Sequence, residues 1–167
     1  MIALTRTDII DDIYPVPGPL LIILSGLSGA GKDAVLNCLR QSSIPLEYIV
    51  TLTTRLPRPG EIDGIHYRFV SQEYFKKLIQ SNELLEWAEV YGNYYGSPRG
   101  AVRNALAAGK DVILKVDVQG ASNIKKLLPE SVAIFLATPT IKELETRLRN
   151  RRTESISDLE LRLKTAK

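Results

Sequence analysis

The residues best equipped for chemistry form Gly26-Leu-Ser-Gly-Ala-Gly-Lys32, a glycine-rich segment between an apolar run and a helical pattern. Glycines at 26, 29 and 31 let the backbone curl so that several N–H groups converge on one phosphate, and the following helix adds the positive end of its dipole. This is the setting a Walker A loop requires. Gly26, Ser28, Gly29, Ala30, Gly31, Lys32, Asp33 and Ala34 are the candidate triphosphate-binding residues, with Lys32 bridging the β- and γ-phosphates of ATP. A glycine-rich turn with a surface lysine is the bland alternative, and it fits the flanking strand and helix less well.

Asp33 departs from the motif, standing where a serine or threonine hydroxyl normally meets Mg²⁺. A carboxylate there could ligate Mg²⁺ directly or through water, could repel the nucleotide's anionic oxygens, or could simply complement the helix dipole. Asp117, after the apolar run Val112 to Val116, is a second candidate for Mg²⁺ through water, as a Walker B acid. Arg55 and Arg58 flank Pro57, and guanidinium forks suit bidentate phosphate binding. Arg147 and Arg151 lie one helical turn apart, an arrangement that is repulsive unless an anion sits between them. Taken singly, each of these arginines is as readily a solvated side chain.

Positioning these groups requires a scaffold, and short apolar runs alternate with helical patterns to supply one. Leu20 to Ser25 reads as a strand, Lys32 to Arg40 as a helix, and Tyr48 to Leu52 as a strand. The rhythm resumes with helix Arg99 to Ala108, strand Val112 to Val116, helix Gln119 to Leu127, strand Val132 to Ala137 and a helix from about Ile141. This predicts an α/β domain with a parallel sheet flanked by helices. Between the halves, Tyr67 to Val70 and Leu84 to Val90 look like strands around a short helix capped by Ser71, with Phe75, Leu78 and Ile79 on one face. We expect an inserted lobe there.

Thr140 with Glu143, and Ser157 with Glu160, have capping-box spacing, which predicts two helix starts separated by a polar stretch at about Asn150 to Ile156. Residues 1–19, ending in a proline-rich run, read as a tail; residues 20–167 read as one domain. The helical pattern is still running at Lys167 without a stop signal, so a truncated or longer chain is expected.

The chain has 167 residues, 44% of them hydrophobic and 25% charged, which fits one folded domain rather than a disordered polymer. No apolar run spans a bilayer and no secretion signal opens the chain, so a cytoplasmic location without membrane partners is expected. Cys38 is the single cysteine and His66 the single histidine, too few for a disulfide or a metal cluster. Cys38 lies in a helical pattern, where core filling is the expected role. Of the basic and acidic residues, 14 and 14 fall in residues 1–140, but 8 and 5 in residues 141–167. That local excess argues for an anion site rather than a nucleic-acid surface.

Several further segments carry a family resemblance: Thr53-Thr-Arg-Leu-Pro-Arg-Pro-Gly-Glu61, Gly64-Ile-His-Tyr67, Leu85-Glu-Trp-Ala88, Gly92-Asn-Tyr-Tyr-Gly-Ser97, Asp117-Val-Gln-Gly120 and Arg147-Leu-Arg-Asn-Arg-Arg-Thr-Glu154. With the glycine loop they resemble guanylate kinases, in that family's order, from Leu20 to the last residue. The resemblance implies a P-loop NTPase-type fold with a GMP-binding lobe at about 53–97 and a mobile lid at about 147–160. It also implies that ATP phosphorylates GMP, and by extension dGMP, with Mg²⁺ as cofactor. Arg55, Arg58, Tyr67 and Tyr95 would hold the GMP phosphate. Thr51, Glu86 and Ser97 would hold guanine, whose adjacent N1–H and N2 donors match one carboxylate. Losing such a match discriminates by about 10⁴-fold. Lys32, Arg147, Arg151 and Arg162 would stabilise charge during transfer.

Lys115 is a second departure, since related enzymes usually carry an acid there. It could pair with Asp33 or Asp117, or touch phosphate. Two rivals remain: a non-catalytic guanylate kinase-like binding module, and a sister P-loop kinase acting on another phosphorylated acceptor.

Overall fold

A computed structural model of the chain describes residues 18–150. The central strands form because their sequences are apolar at successive positions, as strands covered on both faces must be. β1 (Leu21–Gly26) and β7 (Asp111–Lys115) pair in parallel, with β2 (Leu46–Ile49) and β8 (Val132–Leu136) outside them, in the order β2-β7-β1-β8.

Alternating side chains of β7 separate two helical layers. Val112 and Leu114, with Leu21 and Ile23, meet Val102 and Ala105 of α3 (Arg99–Ala107) and Ile124 of α4 (Val118–Leu127). Ile113 and Leu24 face the other way, toward Leu36, Val35 and Leu39 of α1 (Lys32–Gln41). The expected parallel α/β sheet is present. Cys38 does not fill the core as expected: Val35, Leu36 and Leu39 form the buried face of α1, and Cys38 is exposed beside it.

A second, mixed sheet in the order β4-β3-β6-β5 builds the lobe from β3 (Leu52–Thr53), β4 (Arg68–Phe69), β5 (Leu84–Val90) and β6 (Asn93–Pro98). It closes over α2 (Gln72–Gln80), whose N-cap Ser71 hydroxyl accepts the Tyr74 N–H at 3.2 Å. Leu52, Phe75, Leu78 and Leu84 make a core of their own. β5 and β6 join through Tyr91 and Gly92, both at positive φ (51° and 72°), the two-residue turn that matches strand twist.

The single strand expected over Tyr48 to Leu52 is instead two. The chain leaves the core sheet after Ile49 and re-enters the lobe at Leu52, where β3 pairs antiparallel with β6. α5 (Ile141–Asn150) starts at the predicted cap, Thr140 Oγ1 accepting the Glu143 N–H at 3.1 Å, and buries Leu144 and Leu148. Among the described residues no helix is long and apolar enough to cross a membrane. The expected tail up to residue 17, the second capping box at Ser157, and the lid from residue 151 onward with Arg151 and Arg162 lie outside the described residues.

Candidate active site between the glycine loop and the lobe

The glycine loop emerges from the C-terminal end of β1, the edge at which parallel sheets bind ligands. Gly26 has φ 144°, and a Cβ there would lie 2.2 Å from the Leu136 carbonyl oxygen of β8, so the strand exit admits no side chain. Lys32 folds over the loop, its Nζ donating to the Gly26 and Leu27 carbonyls at 2.5 and 3.2 Å. Arg147 reaches in from α5: Nη1 donates to the Ala30 carbonyl at 3.1 Å, while Nε pairs with Glu143 at 2.8 Å. Two cationic side chains thus converge on one loop.

At the first turn of α1, Asp33 accepts a hydrogen bond from Lys115 Nζ at 2.5 Å. Lys115 ends β7 and is buried; its ammonium also lies 3.3 Å from the His66 carbonyl and 3.8 Å from the centre of the Tyr67 ring. Burial draws the Lys115 ammonium below the usual lysine range, and Asp33 opposes that shift. Burial, with the Asp33 charge adding, pushes the Tyr67 phenol up, so it stays a neutral donor.

Across the cleft, Arg55 is held by Glu61 Oε1 at 2.8 Å and donates to the Leu56 carbonyl at 2.6 Å. Its guanidinium lies 5.4 Å from the Tyr67 ring centre and 5.8 Å from that of Phe69. The other Glu61 oxygen accepts the Arg58 N–H at 2.7 Å, so one carboxylate fixes both arginine positions. Burial raises the Glu61 carboxyl, but Arg55 and the Arg58 N–H more than reverse this, leaving it below the usual range. Among the described residues the buried Arg55 Nε has no acceptor. Tyr95 meets the Tyr67 ring edge-on at 6.0 Å.

The third group gathers where β5 meets α4. Glu86 is buried, and its Oε1 accepts the Ser97 hydroxyl at 2.7 Å. Burial pushes its carboxyl up to about 7; Ser97 opposes this and Asp117 adds to it. Asp117 N-caps α4, accepting the Gln119 and Gly120 N–H groups at 3.2 and 3.0 Å. A Cβ on Gly120 would lie 2.7 Å from Glu86 Oε2 and 3.1 Å from Asp117 Oδ1, so the lack of a side chain admits both carboxylates. Thr51 and Ser97 are buried. A cleft of about 580 Å³ joins the three groups, with Lys32, Asp33, Thr51, Arg55, Tyr67 and Glu86 on its walls.

The family model for guanylate kinase matches residues 19–167. The chain belongs to the guanylate kinase family. Guanylate kinase of Desulfitobacterium hafniense strain Y51 is 49% identical over 88% of this chain and 74% of that protein. Guanylate kinase of Halalkalibacterium halodurans is 47% identical over 89% of this chain and 72% of its own length. The crystal structure of guanylate kinase from Anaplasma phagocytophilum superposes with a TM-score of 0.65 at 32% identity, covering 80% of this chain and 66% of that one.

In this member of the guanylate kinase family, the glycine loop and the lobe line one cleft. Arg58, Tyr95, Ser28, Gly29 and Gly31 also line it, as does Asp117. The Asp117 carboxylate serves α4 and stands beside Glu86, a placement that its position after β7 does not reveal. Of the two acids considered as partners for Lys115, Asp33 is the one it pairs with. Sequence reasoning passed over Glu61 as a functional residue. The available signal was the turn-forming Pro57, Pro59 and Gly60 between it and Arg55, which bring the chain back on itself.

Proposed function

We propose that the chain transfers the γ-phosphoryl group of ATP to GMP, and to dGMP, forming GDP and dGDP respectively in the purine nucleotide metabolism of the cytoplasm. The observation that carries this reading is the single cleft with Lys32 and the glycine loop on one side and Arg55, Tyr67 and buried Glu86 on the other. Arg55, Arg58, Tyr67 and Tyr95 hold the GMP phosphate. Glu86, oriented by Ser97, accepts the N1–H and N2–H of guanine, and Thr51 completes that pocket. Adenine presents a lone pair at N1 and is refused.

The acceptor is already an anion, so no protein nucleophile is required, and catalysis rests on position and charge. A GMP phosphate oxygen attacks the γ-phosphorus in line, and the P–O bond to the β-phosphate breaks as ADP leaves. Lys32 and Arg147, with Arg151 and Arg162, share the developing charge. Bound Mg²⁺ would supply positive charge against the phosphates of the donor. The chemistry of the residues present suits it: Asp33, at the first turn of α1, and Asp117 would hold it through hard carboxylate oxygens.

The deciding experiment is steady-state ADP formation from Mg²⁺ATP and GMP, with AMP and Lys32→Ala as controls. GMP-dependent turnover that disappears in the variant is expected. Retained GMP binding without turnover would instead make the chain a binding module, and preference for another phosphorylated acceptor would make it a sister kinase.

A further inference from the structure

The Asp33–Lys115 pair sits where neither charge is comfortable alone. Lys115 occupies a buried position at the end of the central strand β7, in register with Leu24 of β1 and next to the loop that β1 feeds. An ammonium in such a place must be compensated. It is, by the Asp33 carboxylate at 2.5 Å, the His66 carbonyl at 3.3 Å and the Tyr67 ring face at 3.8 Å. Asp33 is half exposed and lines the cleft beside Lys32. By itself its negative charge would oppose the anionic phosphates that the loop amides and Lys32 attract.

We infer that Asp33 and Lys115 work as one neutral unit, in which Lys115 is a positioning residue that cancels and holds the Asp33 carboxylate so that the loop still accepts a polyphosphate. The inference rests on the reading of the glycine loop as the donor site. The unit leaves the loop with the net charge it would have with a neutral hydroxyl at position 33 and a neutral residue at position 115. Each member is harmful without the other. Lys115 without Asp33 is a buried cation short of its carboxylate, and Asp33 without Lys115 is an anion in the phosphate path that has lost its buried counter-ion.

This predicts a reciprocal pattern. The whole chain is titrated with ADP in EDTA by calorimetry, which silences any role of Asp33 toward Mg²⁺, and thermal melting is recorded alongside. Lys115→Met should weaken ADP binding roughly tenfold or more. Asp33→Ser should lower the melting temperature, since it takes away the carboxylate that compensates the buried Lys115 ammonium. The double variant Asp33→Ser, Lys115→Met should bind ADP within about threefold of the wild type, because the carboxylate that Lys115 offset is removed along with it. A double variant that binds no better than Lys115→Met would overturn the inference, since packing damage from the methionine is not repaired by a serine at position 33. Should Lys115→Met fail to fold, Lys115→Gln, which keeps a donor toward the His66 carbonyl, enters the same comparison. A wild-type chain that does not bind ADP would remove the donor-site reading and the inference with it, whereas wild-type binding without rescue removes the inference alone.

Discussion

Glu86 illustrates how much one buried atom pair can decide. Burial pushes its carboxyl up from an ordinary 4.5 to about 7, outweighing the hydrogen bond from Ser97. Between those values the folded protein holds a proton that the unfolded chain has lost, so stability falls as pH rises and the full penalty is present above about 7. The penalty is on the order of 3 kcal/mol at most. Glu86→Gln should therefore melt higher than the wild type at pH 8, and the difference should vanish toward pH 5; an unchanging difference would contradict the buried-acid reading. Guanine needs the ionised form. Wild-type GMP affinity should rise with pH up to about 7 and then level, while the glutamine variant binds about 10²-fold more weakly, having lost two charge-assisted bonds. The GMP phosphate titrates in both proteins, so the difference between their calorimetric pH profiles isolates Glu86.

The N-terminus of α4 is the element that holds this carboxylate in place, and Gly120 is its sensitive point. Gly120→Ala would put a methyl 2.7 Å from Glu86 Oε2, forcing the glutamate to shift while α4, a helix that accepts alanine readily, stays folded. GMP affinity should drop about tenfold or more with ADP affinity unchanged, as separate titrations would reveal; equal loss of both ligands would mean a global effect. Gly26→Ala is a different case, since its Cβ would meet the Leu136 carbonyl, a backbone atom that cannot turn aside. There the expected result is loss of several kcal/mol of stability by chemical denaturation, with both ligands affected. These contrasts also mark what the sequence could reveal. The strand, loop and helix of the donor site were legible because apolar run, glycine spacing and helical period are all local signals. β6 was not legible by pattern, because Asn93 to Pro98 contains glycine and proline and lacks β-branched residues, and its pairing with β3 spans about forty residues. The approach of Glu86 to Asp117 depends on how β5 leans against α4, which no short-range pattern encodes. For the lobe residues proposed to meet guanine and phosphate, the expectation comes from motif order, which periodicity does not supply.

Among the described residues, buried apolar side chains divide between a core-sheet side and a lobe, and the proposed binding of donor and acceptor divides the same way. The core-sheet clusters contain Ile23, Leu114 and Leu36, whereas Leu52, Phe75, Leu78 and Leu84 pack within the lobe. Chain crossings at Val50–Thr51 and at the β6–α3 junction link the two, and the cleft lies between them. Phe75 is fully buried and stacks on Tyr94 at 5.4 Å, so Phe75→Ala should cost about 3–5 kcal/mol. That cost falls on the lobe first, because the core sheet keeps its own contacts. Hydrogen exchange of the variant should accelerate in β3, β5 and β6 while β1 and β7 remain protected, and calorimetry should find GMP binding lost with ADP binding retained. If β1 and β7 instead exchanged as fast as the lobe strands, the protein would unfold as one unit. The acceptor site would then have no independent stability, and the division of binding between two cores would fail at its physical root.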